Sequence, residues 1–316
     1  MMDQYRRIKI LAVLFVILSI GAFFALRKSG TAGTMDKDVI VNIADTAAVY
    51  KISFEYHGKE QTLQRPNGVW KINGKYEARQ RWAQTVLAGF NRLEVKRPVS
   101  EEFKEEVLKR MKEQGVKLNV YYGEQVSRYI MMPNDNDSNS TYLVFNEDKI
   151  PYIAYVPGII GDISEPFRLN EQEWRTRKIF SASQMGLKEI RVEYPSDPAS
   201  NVQISFGQYG FKIKDVAVID TAKFAGFLED LQYAPVLTYI SNKDSALKII
   251  AAQKPLATIN VSDISEDRSN IVDIYINSAD KKTYLGLIGK DREPVLLRSD
   301  LFERVMVKKD YFKALN

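Results

Sequence analysis

The chain has 316 residues, 45% of them hydrophobic, which is enough for two domains of ordinary size. It has no cysteine, and this excludes disulfides, thiolate metal sites, a cysteine nucleophile and a lipoprotein anchor. A single histidine excludes a zinc site built on several imidazoles. The formal net charge is +5, but five basic residues and one acidic residue flank an apolar run near the N-terminus, and the rest of the chain carries +1. We therefore expect no nucleic-acid partner.

The apolar run is Ile10–Leu26, which holds 17 residues without a charge. As a helix rising about 1.5 Å per residue it would be roughly 25 Å long, near the short end of what crosses a bilayer. A cleavable signal has an apolar region of only about 7–15 residues. We predict an uncleaved membrane anchor over residues 1–28 that contacts the lipid bilayer through residues 10–26. Cleavage near the small residues Gly21 and Ala25 is the alternative.

The cations beside this run predict its orientation. Three precede it and two follow it, a small excess that favours a cytoplasmic N-terminus. We therefore expect a single-pass protein of the bacterial inner membrane with the bulk of the chain in the periplasm. Residues 29–38 are rich in small and polar side chains and are expected to form a linker.

The first predicted module covers residues 39–182. Alternating apolar residues predict a strand over Val49–Tyr56, followed by a turn at His57-Gly58. Asn73-Gly74 is typical of a hairpin turn. A helix is predicted over 79–93, and a second helix is expected to begin at Ser100 and end at Gly115. Four strands and a short helix complete the module.

The second predicted module covers residues 183–316 and repeats the same order of elements. Trp70-Lys71-Ile72 matches Phe211-Lys212-Ile213 at an offset of 141 residues, and Leu118-Asn119-Val120 matches Ile259-Asn260-Val261 at the same offset. Thr141-Tyr142-Leu143 matches Thr283-Tyr284-Leu285 at 142. A constant offset across several elements indicates a tandem duplication. The segments 174–180 and 306–312 both have cations between bulky apolar ends, and we match them as the ends of the two modules.

One segment of the first module has no counterpart in the second. It is Pro157–Pro166, and a segment that breaks the symmetry is the better place to look for function. We expect Trp174 and Phe180 to fix the last helix of the first module to its sheet. The candidate interaction residues are Pro157, Gly158, Ile159, Ile160, Gly161, Trp174, Arg175 and Arg177.

No motif in the sequence predicts catalysis, a cofactor or a metal site. His57 lies in a tight turn without a recognisable partner. The oxygen-rich stretch Pro133–Thr141 predicts a hairpin loop, with a cation site as the alternative. The Asp-Thr-Ala and Asp-Ser-Ala triplets at Asp45, Asp220 and Asp244 resemble O-glycosylation signals, and helix capping is the other reading.

The N-terminal anchor, the Gly68–Asn73 unit followed by a helix, and the stretch from Pro151 to Phe180 resemble the bacterial domain-of-unknown-function family forty-three-forty in its Bacteroidota form. The resemblance covers nearly all of the chain after the anchor. It implies a membrane-anchored protein of unassigned activity, often encoded beside gliding-type ABC transporter components. Family members often carry an arginine and an aromatic residue after the Pro-Gly pair, where this chain has Ile159 and Ile160.

Together these patterns predict an α+β fold, in which each of two duplicated modules packs helices on a mostly antiparallel sheet behind one N-terminal transmembrane helix. The expected function is that of a non-catalytic, membrane-anchored extracytoplasmic scaffold or interaction protein, accessory to an ABC-type transport complex through a membrane-protein partner. The alternatives are a binding protein for an envelope glycan or peptide, with a cleft between the modules, and a hydrolase of unrecognised type.

Overall fold

The computed structural model describes residues 41–146, 148–183, 185–208, 210–240 and 243–314. The predicted anchor and linker lie outside these ranges. Within them, no helix is long and apolar enough to cross a membrane. The fold is mixed α+β, with two compact units that divide between Arg175 and Thr176. The sequence prediction placed this division seven residues later, whereas Ile179 and Phe180 belong to the core of the second unit.

The first unit is built on a nine-stranded antiparallel sheet with the order β4-β3-β2-β1-β6-β7-β8-β9-β5. Local hairpins account for most neighbours, and β5 reaches the far edge after a helix. The strands are β1 Val49–Tyr56, β2 Lys59–Gln64, β3 Lys71–Ile72, β4 Tyr76–Glu77, β5 Glu94–Pro98, β6 Val116–Tyr122, β7 Gln125–Pro133, β8 Thr141–Phe145 and β9 Tyr152–Tyr155.

Two helices of the first unit cover opposite faces of this sheet. Helix α1, Gln80–Asn91, packs into the main core through one apolar stripe, as its sequence predicted: Ala83, Val86, Leu87 and Phe90. Helix α2, Glu101–Gln114, packs Val107 and Met111 into a smaller core on the other face. The chain then closes the main core with a 3-10 turn, Glu165–Arg168, and the short helix α3, Glu171–Trp174.

The second unit is built on an eight-stranded antiparallel sheet with the order β12-β11-β10-β14-β15-β16-β17-β13. Its strands are β10 Leu187–Glu193, β11 Val202–Gly207, β12 Gly210–Ile213, β13 Val236–Tyr239, β14 Ala257–Asp263, β15 Asn270–Ile276, β16 Thr283–Ile288 and β17 Glu293–Arg298.

The helices of the second unit also cover both faces. Helix α4, Thr221–Tyr233, begins at Asp220, whose carboxylate accepts hydrogen bonds from the backbone N–H groups of Ala222 and Lys223 at 3.1 Å each. Helix α5, Lys243–Ala251, contributes Ile250 to the smaller core of the opposite face. Helix α6, Ser299–Val305, and a 3-10 turn, Lys309–Phe312, close the main core against α4.

Apart from β4, an additional edge strand of the first sheet, the two sheets share their strand order and their registers. Leu63 pairs with Ile72 in the first sheet, and Ile204 pairs with Ile213 in the second, both 141 residues later. Beyond the sheet, the backbone N–H of Arg79 donates to Trp174 O, and that of Asp220 donates to Phe312 O, both at 2.9 Å. The same connections are therefore made at the same places in both units.

The registers correct two of the sequence matches. Tyr142 pairs with Met132 in the first sheet. The pair of Leu285 with Tyr275 in the second sheet lies 143 positions later in both strands. Strands β8 and β16 therefore correspond at an offset of 143, and the sequence match at 142 was one residue out of register. Trp174 corresponds to Phe312 and not to Met306, as the hydrogen bonds above show. The expectation that Phe180 fixes the last helix of the first unit was wrong, because Phe180 packs in the second core.

Candidate functional site

An apolar groove of the first unit lies between α1 and the segment Pro157–Pro166. Its cavity has a volume of about 190 Å³. Helix α1 contributes one wall, and the segment that was singled out from the sequence contributes the other. The lining side chains are mostly aliphatic or aromatic: Thr85, Val86, Gly89, Phe90, Leu93, Met131, Ile159, Ile160, Asp162, Ile163, Glu165, Pro166 and Phe167.

Asp162 holds the loop wall of this groove in place. Its Oδ1 accepts hydrogen bonds from Thr141 Oγ1 at 2.8 Å and from the backbone N–H of Ser164 at 2.9 Å. Its Oδ2 accepts from Arg168 Nη2 at 2.6 Å. Because both oxygens are engaged by neighbours and the charge is paired, Asp162 supports the loop and is not free to act on a bound molecule.

The tip of the loop exposes an aliphatic side chain. Gly158 and Gly161 adopt φ angles of 80° and 115°, a region that side-chain-bearing residues rarely occupy. Between these glycines, Ile159 packs partly against the main core, whereas Ile160 is 90% exposed. The loop therefore projects Ile160 away from the protein.

The remaining predicted interaction residues lie elsewhere. Trp174 is completely buried, and its ring packs 6.2 Å from the ring of Phe54 between centroids. Arg175 is also buried, with its guanidinium 3.6 Å from the ring centroid of Tyr76. Arg177 is exposed in the second unit, where its carbonyl accepts a hydrogen bond from Val236 N at 2.8 Å. Of the predicted interaction residues, the structure thus places only Ile159 and Ile160 in the lining of the groove.

The first described residues of the chain lie close to this groove. Tyr129 Oη donates to Val41 O at 2.9 Å, and the backbone N–H of Ile43 donates to Phe90 O at 3.0 Å. Burial raises the pKa of the Tyr129 phenol above its ordinary value, so the phenol stays protonated and remains a donor. Phe90 itself lines the groove, and its ring packs 5.3 Å from that of Tyr129. The chain therefore enters the first unit beside one end of the groove.

Sequence reasoning missed the α1 side of the groove. Trp82, Val86 and Gly89 follow one another along one side of the helix, with Thr85 beside them. Trp82 is 38% exposed and Gly89 leaves open space where a side chain would stand. The signal for this side in the sequence is a tryptophan that stands outside the buried stripe, one turn before Thr85 and two turns before Gly89.

The other candidates from the sequence are structural. His57 occupies the exposed β1–β2 turn, as predicted, with a φ angle of 49°. The loop after β7 is a hairpin connection, as predicted; Asp137 accepts from Lys96 Nζ at 3.1 Å and Asp135 pairs with Arg110. Over the described ranges, no group of three or more acidic or histidine side chains is placed to hold a metal ion.

The fold and the groove together define an α+β protein with two antiparallel-sheet units of the same topology and an apolar concave site on the first. Comparisons with protein-family models, with curated proteins and with solved structures gave no match. The family resemblance seen in the sequence therefore stays a prediction.

Proposed function

We propose that this protein is a non-catalytic scaffold or interaction protein, anchored in the bacterial inner membrane by residues 10–26 with its two units in the periplasm. The observation that carries the proposal is the 17-residue uncharged run that precedes the folded body. The apolar groove supports binding in preference to chemistry, because the carboxylate at its base is engaged by Thr141, Ser164 and Arg168.

We also propose that the two units descend from one duplicated module. The shared strand order, the equal registers and the matched hydrogen bonds from Arg79 and Asp220 support this. Each unit buries its own two cores, so neither needs the other to complete a sheet.

The partner we propose is a membrane protein of an ABC-type transport complex, which the family resemblance suggests. Tethering confines both units to a thin layer above the bilayer. This raises their effective concentration for a partner in the same membrane without any additional contact.

Reporter fusions to the C-terminal residue Asn316 test the anchoring. A reporter enzyme that is active only outside the cytoplasm is expected to be active on the full chain. The matched control is Leu18→Arg, which places a charge at the centre of the run at a cost of about 2.5–3.5 kcal/mol for insertion and is expected to reduce export or membrane retention. An active cytoplasmic reporter at Asn316 would overturn the proposal.

Crosslinking in intact cells tests the partner. The full chain, with its anchor, is expected to capture an integral membrane subunit of a transporter, and the capture is expected to be lost with Leu18→Arg. If the full chain captures only itself or soluble proteins, the scaffold hypothesis fails.

A further inference from the structure

The groove continues into an exposed apolar surface, here called the apolar rim, that consists of Trp82, Gly89, Ile159, Ile160 and Pro166. Ile160 is 90% exposed and Trp82 is 38% exposed. Trp82 lies one turn before Val86 on the helix, and Val86 lines the groove together with Ile160. An exposed aliphatic tip on the groove and an exposed tryptophan one helical turn from it make this side of the first unit more apolar than a single scattered surface residue would.

The position of the chain entry limits how far this surface can lie from a membrane. Twelve residues, 29–40, join the end of the predicted anchor segment at Lys28 to Val41. Even fully extended at about 3.3–3.6 Å per residue, they span at most roughly 40 Å. Val41 is hydrogen-bonded to Tyr129, whose ring packs on Phe90 in the groove wall. The tether therefore keeps the first unit, and the apolar rim with it, within roughly 40 Å of the bilayer.

The chemistry of the rim matches the interfacial layer of a bilayer. Tryptophan is enriched at the level of the lipid headgroups, where its ring is apolar and its N–H is hydrated. The guanidinium of Arg79 lies 4.2 Å from the Trp82 ring centroid, which places a cation at the same level as the ring. The nearest exposed carboxylate on the loop belongs to Glu165, and it limits insertion to a shallow depth.

The apolar loop is also restricted to the unit that the tether holds. From Tyr155 to the buried Trp174 the first unit uses 19 residues, whereas the second unit uses 14 from Arg298 to Phe312. In the second unit, helix α6 packs on α4 and buries Phe302 and Val305. The longer segment of the first unit thus carries the exposed tip Ile160, whereas the shorter segment of the second unit packs Phe302 and Val305 into the core.

We propose that the apolar rim inserts Ile160 and Trp82 shallowly into the outer interface of the membrane, so that the first unit lies on the bilayer with this face toward the lipid. The proposal rests on the membrane anchoring proposed above. In this arrangement the anchor and the rim contact the same bilayer separately. The anchor alone would leave the first unit free to rotate, whereas the second contact sets its orientation.

The absence of cysteine allows a direct test in the full chain. Single cysteines at three positions would carry an environment-sensitive fluorophore in protein reconstituted into phospholipid vesicles. Ile160→Cys reports on the rim, and Leu18→Cys reports on the anchor. Ile264→Cys is the matched control, because Ile264 is an exposed isoleucine of the second unit.

The expected result is that lipids with a shallow quencher quench the label at position 160 more than lipids with a deep quencher do. The label at position 18 is expected to show the reverse, and the label at position 264 is expected to behave as in water. If position 18 is quenched while position 160 stays water-like, the rim proposal fails and the anchoring stands. If position 18 is not quenched, the anchoring fails and takes the rim proposal with it.

A second variant separates lipid from protein contact. With the label at Pro157→Cys, an added Ile160→Asp substitution is expected to abolish shallow quenching, because a charge replaces the inserted side chain. Circular dichroism is expected to be unchanged, since residue 160 is exposed. A label at position 160 that is shielded from water but not quenched by any lipid would overturn the proposal in favour of a protein in the groove.

Discussion

The two units make the same backbone connections but use their last segments differently. In the first unit the segment before the buried Trp174 is five residues longer and forms the loop wall of an open groove. In the second unit the shorter segment forms α6, which packs on α4 and closes the corresponding side of that helix. The difference teaches that the sheet framework tolerates variation in the segment that crosses it, and that the apolar groove arises from this segment.

The cores also differ at one matched pair of positions. Leu143 and Ala154 of the first unit correspond to Gly286 and Leu297 of the second, at an offset of 143. All but Gly286 are hydrophobic core residues of their unit. A Cβ on Gly286 would stand 2.7 Å from Leu297 Cδ1, so the leucine of β17 occupies the space that a leucine of β8 fills in the first unit. Close packing is preserved although the large residue has changed strands.

The largest expected effect comes from removing the aromatic residue that closes a core. Trp174→Ala is expected to lower the free energy of unfolding of the first unit by about 3–5 kcal/mol, because a fully buried side chain leaves a cavity. Trp174→Phe, which copies Phe312 of the second unit, is expected to cost only about 1–2 kcal/mol, since it also removes an indole N–H that has no acceptor within the described residues. Urea denaturation followed by circular dichroism measures both. Equal losses for the two variants would contradict the equivalence of Trp174 and Phe312.

A smaller effect is expected from overpacking the second core. Gly286→Ala is expected to lower its unfolding free energy by about 1–3 kcal/mol, because the new methyl group meets Leu297 at 2.7 Å and Val295 at 3.0 Å. The same denaturation assay applies.

The control for that prediction exchanges the pair. Gly286→Leu with Leu297→Ala copies the arrangement of the first unit, so the double variant is expected to be more stable than Gly286→Leu alone. A double-mutant cycle gives the coupling free energy between the two positions. If the changes in unfolding free energy of the two single variants simply add up to that of the double variant, the two side chains do not share one space.

The smallest effect concerns acid stability. Asp263 ends β14, where the corresponding residue of the first unit is Tyr122. Hydrogen bonds from the backbone N–H of Ser265 at 2.9 Å and of Ser183 at 3.0 Å stabilise the carboxylate and lower its pKa. The ionised Asp263 carboxylate therefore contributes to the free energy of unfolding above the unfolded-state pKa of about 3.9. This contribution is lost as the pH falls through the lower pKa of the folded state.

The parent is thus expected to lose stability below about pH 4, and Asp263→Asn is expected to be less stable than the parent at neutral pH with a shallower decline toward acid. Urea midpoints measured between about pH 3 and about pH 7 test this. Tyr122→Phe is the matched control in the first unit, and it is expected to leave the acid dependence unchanged. An equally steep decline in Asp263→Asn would assign acid sensitivity to other carboxylates.

Local patterns in the sequence predicted much of each unit. The buried stripe of α1 follows from its apolar spacing, and Asn73-Gly74 forms the expected turn with φ angles of 52° and 68°. Alternating apolar residues located β6 and β14, because each of these strands has one buried face. They also located β1, in which Ser53 is buried as well as its apolar neighbours Ile52 and Phe54. The Pro157–Pro166 segment was recognised because the repeat offset isolates it.

The tertiary structure alone decided the features that depend on distant partners. Strand β5 has a single buried residue, Val95, and pairs with β9 more than fifty residues away, so no local alternation marks it. The placement of Phe180 in the second core and the open wall of the groove were equally undecided by sequence, whereas the packing of Trp174 against the first sheet was predicted and is confirmed. The amino-acid sequence by itself determined the periodic elements, the turns and the repeat, because these depend on neighbours in the chain. Which apolar residues are buried and which stay exposed as a surface depends on contacts that form only when the sheet and its crossing segments assemble.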